Sequence, residues 1–155
     1  MQFKILMMIP ELELQMVYTK AIDESAWTKA LPQPADPDRT CVLGFSFRQH
    51  AYELRFNPRK SPDIMKVSVT LPVDRALAGG ELPALLRHIN REHLAVKAEL
   101  ADDYRTSVRL SVEAIVASPF RLPDQEIATF ILQGALDRLD RAAKELKIAS
   151  PGPGF

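Results

Sequence analysis

An α+β fold, a one-sided antiparallel sheet of about five strands covered by helices, is what this sequence predicts, and two periodicities and one order predict it. Apolar residues recur at every second position over 40–47, 52–56, 65–71, 94–100 and 105–116, and at helical spacing over 82–93 and 123–147. The intervening residues of the strand-like runs are mostly polar. Such alternation favours an antiparallel sheet with one covered face, because parallel sheets are buried on both faces and read as continuous apolar runs. The element order is therefore (α)βββαββα.

The first forty residues are ambiguous in period. Leu12, Leu14, Met16 and Tyr18 alternate like a strand, whereas Leu14, Val17, Tyr18 and Ala21 fit a helix equally well. A short helix is predicted over 24–31, capped by Asp23 or Ser25, stopped by Pro32, and buried through Trp27 and Leu31. Pro32, Pro34 and Pro37, interleaved with Asp36 and Asp38, then form a linker that can be neither helix nor central strand.

Leu43, Phe45 and Phe47 share a face of the next strand, and Tyr52, Leu54 and Phe56 share a face of its hairpin partner, with 48–51, including His50, as the turn. A polar, proline-bearing connection over 57–63 leads to Met65, Val67, Val69 and Leu71, whose alternates Lys66, Ser68 and Thr70 should face water. Gly79-Gly80 breaks the chain before a helix with Pro83 in its first turn and Leu82, Leu85, Leu86 and Ile89 on one face. A second hairpin pairs Val96, Ala98 and Leu100 with Val108, Leu110, Val112 and Ala114 around an Asp102-Asp103 turn.

Pro119 ends that hairpin, and Pro123-Asp124-Gln125-Glu126 opens the last helix with acidic groups at its positive dipole end. Its apolar stripe is Ile127, Ile131, Leu132, Leu136, Leu139, Ala143 and Leu146, with Gly134 placed to let the helix approach the sheet closely. At 155 residues the chain reads as one domain, 1–149, followed by a proline-bearing flexible tail, 150–155.

Composition narrows the function classes. Twenty basic residues balance twenty acidic ones, which removes the long-range attraction expected of a dedicated binder of nucleic acid or anionic membranes. Cys41 is the only cysteine, so no internal disulfide forms, and its surroundings read as a strand. The apolar stretch 3–9 is broken by Lys4 and ended by Pro10, short of a signal-peptide core or a membrane span. A cytoplasmic location is the expectation.

No catalytic constellation stands out. His88 and His93 are five apart, about 140° around a helix, and so should not converge on one metal, whereas His88 and Glu92 share a face. Asn90 is placed to bond a following backbone group at the helix end. The acidic pairs Asp36/Asp38 and Asp102/Asp103 fit turn chemistry, and Gly79-Gly80 lacks the residues of a phosphate cradle. Lys97, Arg105 and Arg109 fall on the outer sheet face beside Glu99 and Glu113, without the interleaved aromatics that stack on bases. Phe130 is left over from the helix stripe as a candidate exposed apolar residue.

The run of three strands, a helix bearing Ile89-Asn90-Arg91-Glu92-His93, a hairpin and a long helix resembles the YbjN-like family and the related type III secretion chaperone fold over 40–147. Asn90 matches that family's helix leading directly into a hairpin. The N-terminal 1–20 has no counterpart in the resemblance, and the family's usual first helix is not evident. The resemblance implies a sheet-and-helix domain that binds protein segments, often as a dimer, without cofactor, metal or catalytic residue. The expected function is thus a non-catalytic, chaperone- or adaptor-like interaction domain that takes a protein or peptide partner on a sheet edge or in an apolar groove. Its candidate contact residues are Phe130, Arg105, Arg109 and Lys97. The alternative is an enzyme or small-molecule-binding domain whose site assembles from separated residues such as Tyr104, Arg105, His88 and Glu92.

Overall fold

In a computed structural model of the chain the described residues are 11–26, 28–34, 40–74, 81–101, 107–118 and 121–149. Several expectations fall outside them: the apolar stretch 3–9, Trp27, Asp36, Pro37, Asp38, Gly79-Gly80, Asp102-Asp103, Tyr104, Arg105, Pro119 and the tail 150–155. The elements run α1 (Glu11–Ala26), β1 (Leu31–Gln33), β2 (Cys41–Phe47), β3 (His50–Asn57), β4 (Ser61–Pro72), α2 (Glu81–Glu92), β5 (Lys97–Leu100), β6 (Ser107–Ile115) and α3 (Gln125–Ala149). The strands form one six-stranded antiparallel sheet in the order β1-β2-β3-β4-β6-β5. The α+β class and the order of elements are as the sequence predicts, with β1 as an additional edge strand.

The N-terminal ambiguity resolves as helix. Leu14, Val17, Tyr18, Ala21 and Ile22 are buried along one face of α1, and Glu11 and Glu13 sit in its first turn, where the helix dipole favours acidic groups. The helix predicted over 24–31 does not exist as such: α1 ends at Ala26, so Asp23 and Ser25 lie in its last turn rather than at a start. Leu31, expected on a buried helix face, is 62% exposed and opens β1. Pro32 disfavours helical geometry for the residue before it, and a proline lacking an N–H is tolerated on an edge strand.

β2 and β3 pair from Cys41↔Phe56 to Phe47↔His50, which leaves a two-residue turn, Arg48-Gln49. Both turn residues have positive φ, 45° and 71°, the signature of a turn whose twist matches that of the flanking strands. His50 is therefore the first residue of β3 and not part of the turn. The polar connection is also shorter than expected. Asn57 Oδ1 accepts the backbone N–H groups of Arg59 and Lys60 at 3.0 and 2.9 Å, closing a compact turn from which β4 starts at Ser61. β4 and β6 run antiparallel: Val116 N donates to Asp63 O at 2.8 Å and Lys66 Nζ lies 3.9 Å from Glu113, so one index falls by three as the other rises by three.

The chain divides into two compact units, Met1–Val67 with Glu113–Gly134, and Ser68–Val112 with Ala135–Phe155, so β4, β6 and α3 contribute to both. In the first, Leu43, Phe45, Tyr52, Leu54, Phe56, Met65 and Val67 supply the sheet's buried face, α1 its helical cover, and Ala128 and Leu132 the contribution of α3. The rings of Tyr18 and Phe56 lie 5.0 Å apart there. In the second, Val69, Leu71, Ala98, Val108, Leu110 and Val112 are buried with Leu82 and Ile89 of α2 and Leu136, Leu139 and Leu146 of α3. Burying each large aliphatic side chain contributes roughly 1.5–3 kcal/mol, so these faces dominate over helix propensity.

Four details of the predicted patterns shift. On α3 the buried stripe is Ala128, Leu132, Ala135, Leu136, Leu139, Ala142, Ala143 and Leu146, so Ile127 is 52% exposed and Ala128 takes its place. Asp124 is the N-cap, its Oδ1 accepting the N–H groups of Glu126 and Ile127, which puts Pro123 outside the helix rather than in its first turn. Gly134 makes no close approach, since a Cβ built on it would have nothing within 4 Å. Ser68, expected in water, is 6% exposed on a strand inside the sheet.

Candidate functional site

The polar cluster richest in chemistry forms where α2 ends and β5 begins. His93 N closes the last turn of α2 on Ile89 O at 3.0 Å, and Val96 N returns to His93 O at 3.2 Å with Ala95 at φ 68°. This tight turn replaces the start of the strand predicted over 94–100, and it takes His93 off the helix. The two histidines, expected not to converge on one metal, share one carboxylate. Both reach Glu145 of α3, His88 Nε2 lying 2.5 Å from Oε1 and His93 Nε2 bonding Oε2. An ionised carboxylate only accepts, so each Nε2 donates to it. The partner of His88 is Glu145 and not Glu92, whose carboxylate takes Arg91 Nε at 3.3 Å.

The bond from His93 is the main force holding the Glu145 carboxyl below its ordinary value near 4.5; partial burial opposes this and the bond from His88 assists it. Beside the cluster, Arg138 donates to Leu94 O at 3.2 Å, and Glu92, His93, Leu94, Arg138 and Arg141 line a hollow of about 150 Å³. Each imidazole faces its own carboxylate oxygen. Among the described residues no group of three or more His, Cys, Asp or Glu side chains is arranged to hold a metal ion.

Asn90 does more than cap a helix. Its Oδ1 accepts the N–H of Ala98 at 2.7 Å and its Nδ2 donates to the Ala98 carbonyl at 3.0 Å, so one side-chain amide satisfies both backbone groups of a β5 residue. The sequence pointed to a following backbone group as its partner, and the residue eight positions on is that partner.

The predicted contact residues divide. Lys97 Nζ and Arg109 Nη1 lie 3.6 and 4.0 Å from the carboxylate of Glu99, a mixed-charge arrangement on the β5–β6 face. Arg105 lies outside the described residues, as does Tyr104, so of the alternative enzyme site only His88 and Glu92 can be placed. Phe130 is 76% exposed on α3, and the sequence did not mark its companions. In the same unit Ile127, one helical turn before it, is exposed, as are Leu12 and Met16 on α1 at 74% and 69%. Gln125 Nε2 donates to Val17 O at 2.9 Å and Thr129 Oγ1 to Glu24 at 3.4 Å, fixing α3 alongside α1. Helical spacing could have found Leu12 and Met16, which are four apart and opposite the buried face, had the helix been distinguishable from a strand.

Burial, with a hydrogen bond to Glu11 at 3.1 Å and the negative charge of that residue, pushes the Cys41 thiol up to about 12, away from the thiolate form. Among the described residues, two further shallow clefts lie in the first unit. One of about 380 Å³ is lined by Thr40, Arg55, Asn57, Lys66 and Glu113 among others, and one of about 360 Å³ lies over β1–β3 around Gly44. In the former the charges are already matched, Arg55 to Glu53 at 3.0 Å and Lys66 to Glu113. Among the described residues no helix is long and apolar enough to cross a membrane, which says nothing of β-barrels.

No protein-family model matches the sequence, and no curated protein matches it either. Solved structures do. An uncharacterized protein from Methanothermobacter thermautotrophicus superposes with a TM-score of 0.63 at 13% identity, over 88% of this chain and 95% of that one. YbjN from E. coli, described as a candidate transcription regulator, superposes with a TM-score of 0.56 at 16% identity over the same shares. At these identities the likeness is one of fold, and the fold of this chain is YbjN-like.

Proposed function

We propose that this protein is a non-catalytic, adaptor- or chaperone-like interaction domain that binds an apolar segment of a partner protein on the solvent faces of α1 and α3. The observation that carries the reading is the exposure of Leu12, Met16, Ile127 and Phe130 on two helices fixed side by side in one unit. Several exposed large apolar side chains on neighbouring elements of a small protein favour a docking surface over chance exposure. The YbjN-like fold and the regulatory role suggested for the E. coli protein accord with it. Helix-in-groove binding also suits these residues better than strand addition, since β1 has three residues including a proline and the backbone of Ala98 in β5 is already bonded.

The test is capture of partners by the purified protein from native lysate, comparing wild type with Ile127→Ser/Phe130→Ser and with Lys97→Ser/Arg109→Ser. Loss of a specific partner only in the α3 variant, with an unchanged circular dichroism spectrum, is expected. Retention of every partner by that variant overturns the reading. The convergence of His88 and His93 on Glu145 beside a hollow favours a second reading, a small-molecule or catalytic site. A small molecule that co-purifies with the wild type and is lost in Glu145→Gln would promote it.

A further inference from the structure

We propose that Asn90 is an edge guard: its side-chain amide stands in the place of a neighbouring strand's peptide and keeps β5 from pairing with β5 of a second copy of this chain. β5 is the last strand of the sheet, so among the described residues one side of its backbone has no strand beside it. The register with β6 shows which groups face outward. Ala101 N donates to Ser107 O at 2.9 Å, and Lys97 and Glu99 stand opposite Ser111 and Arg109, so the odd-numbered residues exchange their bonds with β6. Ala98 and Leu100 therefore turn their N–H and C=O groups away from the sheet. At Ala98 both groups are taken by Asn90, at 2.7 and 3.0 Å.

A primary amide offers one carbonyl acceptor and an N–H donor side by side, which is what a residue of an added strand would present to Ala98. Asn90 can fill this role because it sits at the end of α2, and the turn at 93–96 brings β5 back past it. Unguarded, the edge would suit itself. In an antiparallel pairing centred on Ala98, Lys97 of each copy falls opposite Glu99 of the other, a complementary arrangement in a strand with no inward charge or proline to discourage it. The other end of the sheet needs no such guard, because β1 is three residues long and contains Pro32.

The experiment is sedimentation velocity over a wide range of protein concentration for wild type, Asn90→Ala and Asn90→Ala/Ala98→Pro, with the fold of each checked by circular dichroism. Asn90→Ala is expected to gain mass with concentration, up to about twofold over the wild type at the same concentration, as an opened edge pairs. Ala98→Pro in that background removes the outward N–H and is expected to restore the wild-type profile. A folded Asn90→Ala with the wild-type profile throughout overturns the proposal, as does association that survives Ala98→Pro. Should Asn90→Ala fail to fold, Asn90→Asp keeps the acceptor for Ala98 N and loses the donor to its carbonyl. Concentration-dependent association of Asn90→Asp upholds the guard, and its absence overturns it.

Discussion

Tyr18 and Glu145 show how much a single side chain's partners decide. The Tyr18 hydroxyl is fully buried and makes no hydrogen bond, and burial, with the nearby charge of Asp63, raises its pKa. A buried hydroxyl with no partner costs about 1–3 kcal/mol, whereas its ring still packs on Phe56. Tyr18→Phe is therefore expected to raise stability by about 1 kcal/mol, read as a higher urea midpoint with an unchanged slope. Glu145 is the opposite case, an acceptor with two donors. Its folded pKa is depressed, so its contribution is present above the ordinary value near 4.5 and is lost as pH falls through the lower folded value. The stability difference between wild type and Glu145→Gln should hold from neutral pH to about 5 and shrink below 4; a difference that stays constant down to pH 3 would mean that the ionised carboxylate is not what binds the two histidines. Neither tyrosine nor glutamate was legible as special in the sequence, because what distinguishes them is the element that packs opposite, 57 positions away for His88 and Glu145.

At the scale of elements, what could be read in advance was what local spacing encodes. The buried faces of β2, β3, β4 and β6 follow from alternation alone, since a one-residue slip would turn every apolar side chain to water. The end of α1 did not follow, because Ser25 and Pro32 look like a helix start and stop until the partner of Leu31, Gly44 of β2, is known. Gly134 was legible as a cost but not as an opportunity. With no neighbour within 4 Å of a built Cβ, Gly134→Ala is expected to stabilise α3 by about 0.5–1 kcal/mol, measured by thermal melting. The β2–β3 turn holds a similar reserve. Gln49 adopts φ 71°, which favours glycine, and Gln49→Gly should likewise raise the melting temperature; Arg48 is kept, because its guanidinium lies 4.9 Å from the centre of the Phe47 ring.

For the molecule as a whole, the deciding feature is that its two compact units are not separate stretches of sequence. β4, β6 and α3 each supply buried residues to both: Met65 and Val69 on β4, Val112 and Val116 around the end of β6, and Leu132 and Leu136 on α3. A unit that lost its share of any one of these would expose large aliphatic side chains worth roughly 1.5–3 kcal/mol apiece, against a total stability on the order of 5–15 kcal/mol for a chain of this size. Partial unfolding of one unit would also have to break a continuous helix and two continuous strands. The expected behaviour is therefore a single cooperative transition, with the calorimetric enthalpy equal to the van't Hoff enthalpy within error. Two resolved transitions, or a van't Hoff enthalpy about half the calorimetric value, would show that the shared elements can melt at their midpoints and that each unit holds its own core. Exposed Ile127 and Phe130 take no part in either core, so Ile127→Ser/Phe130→Ser should leave that transition within about 0.5 kcal/mol of the wild type while removing the apolar surface to which binding is assigned. A large drop in stability would instead make these residues part of the fold's own packing and take the binding surface elsewhere.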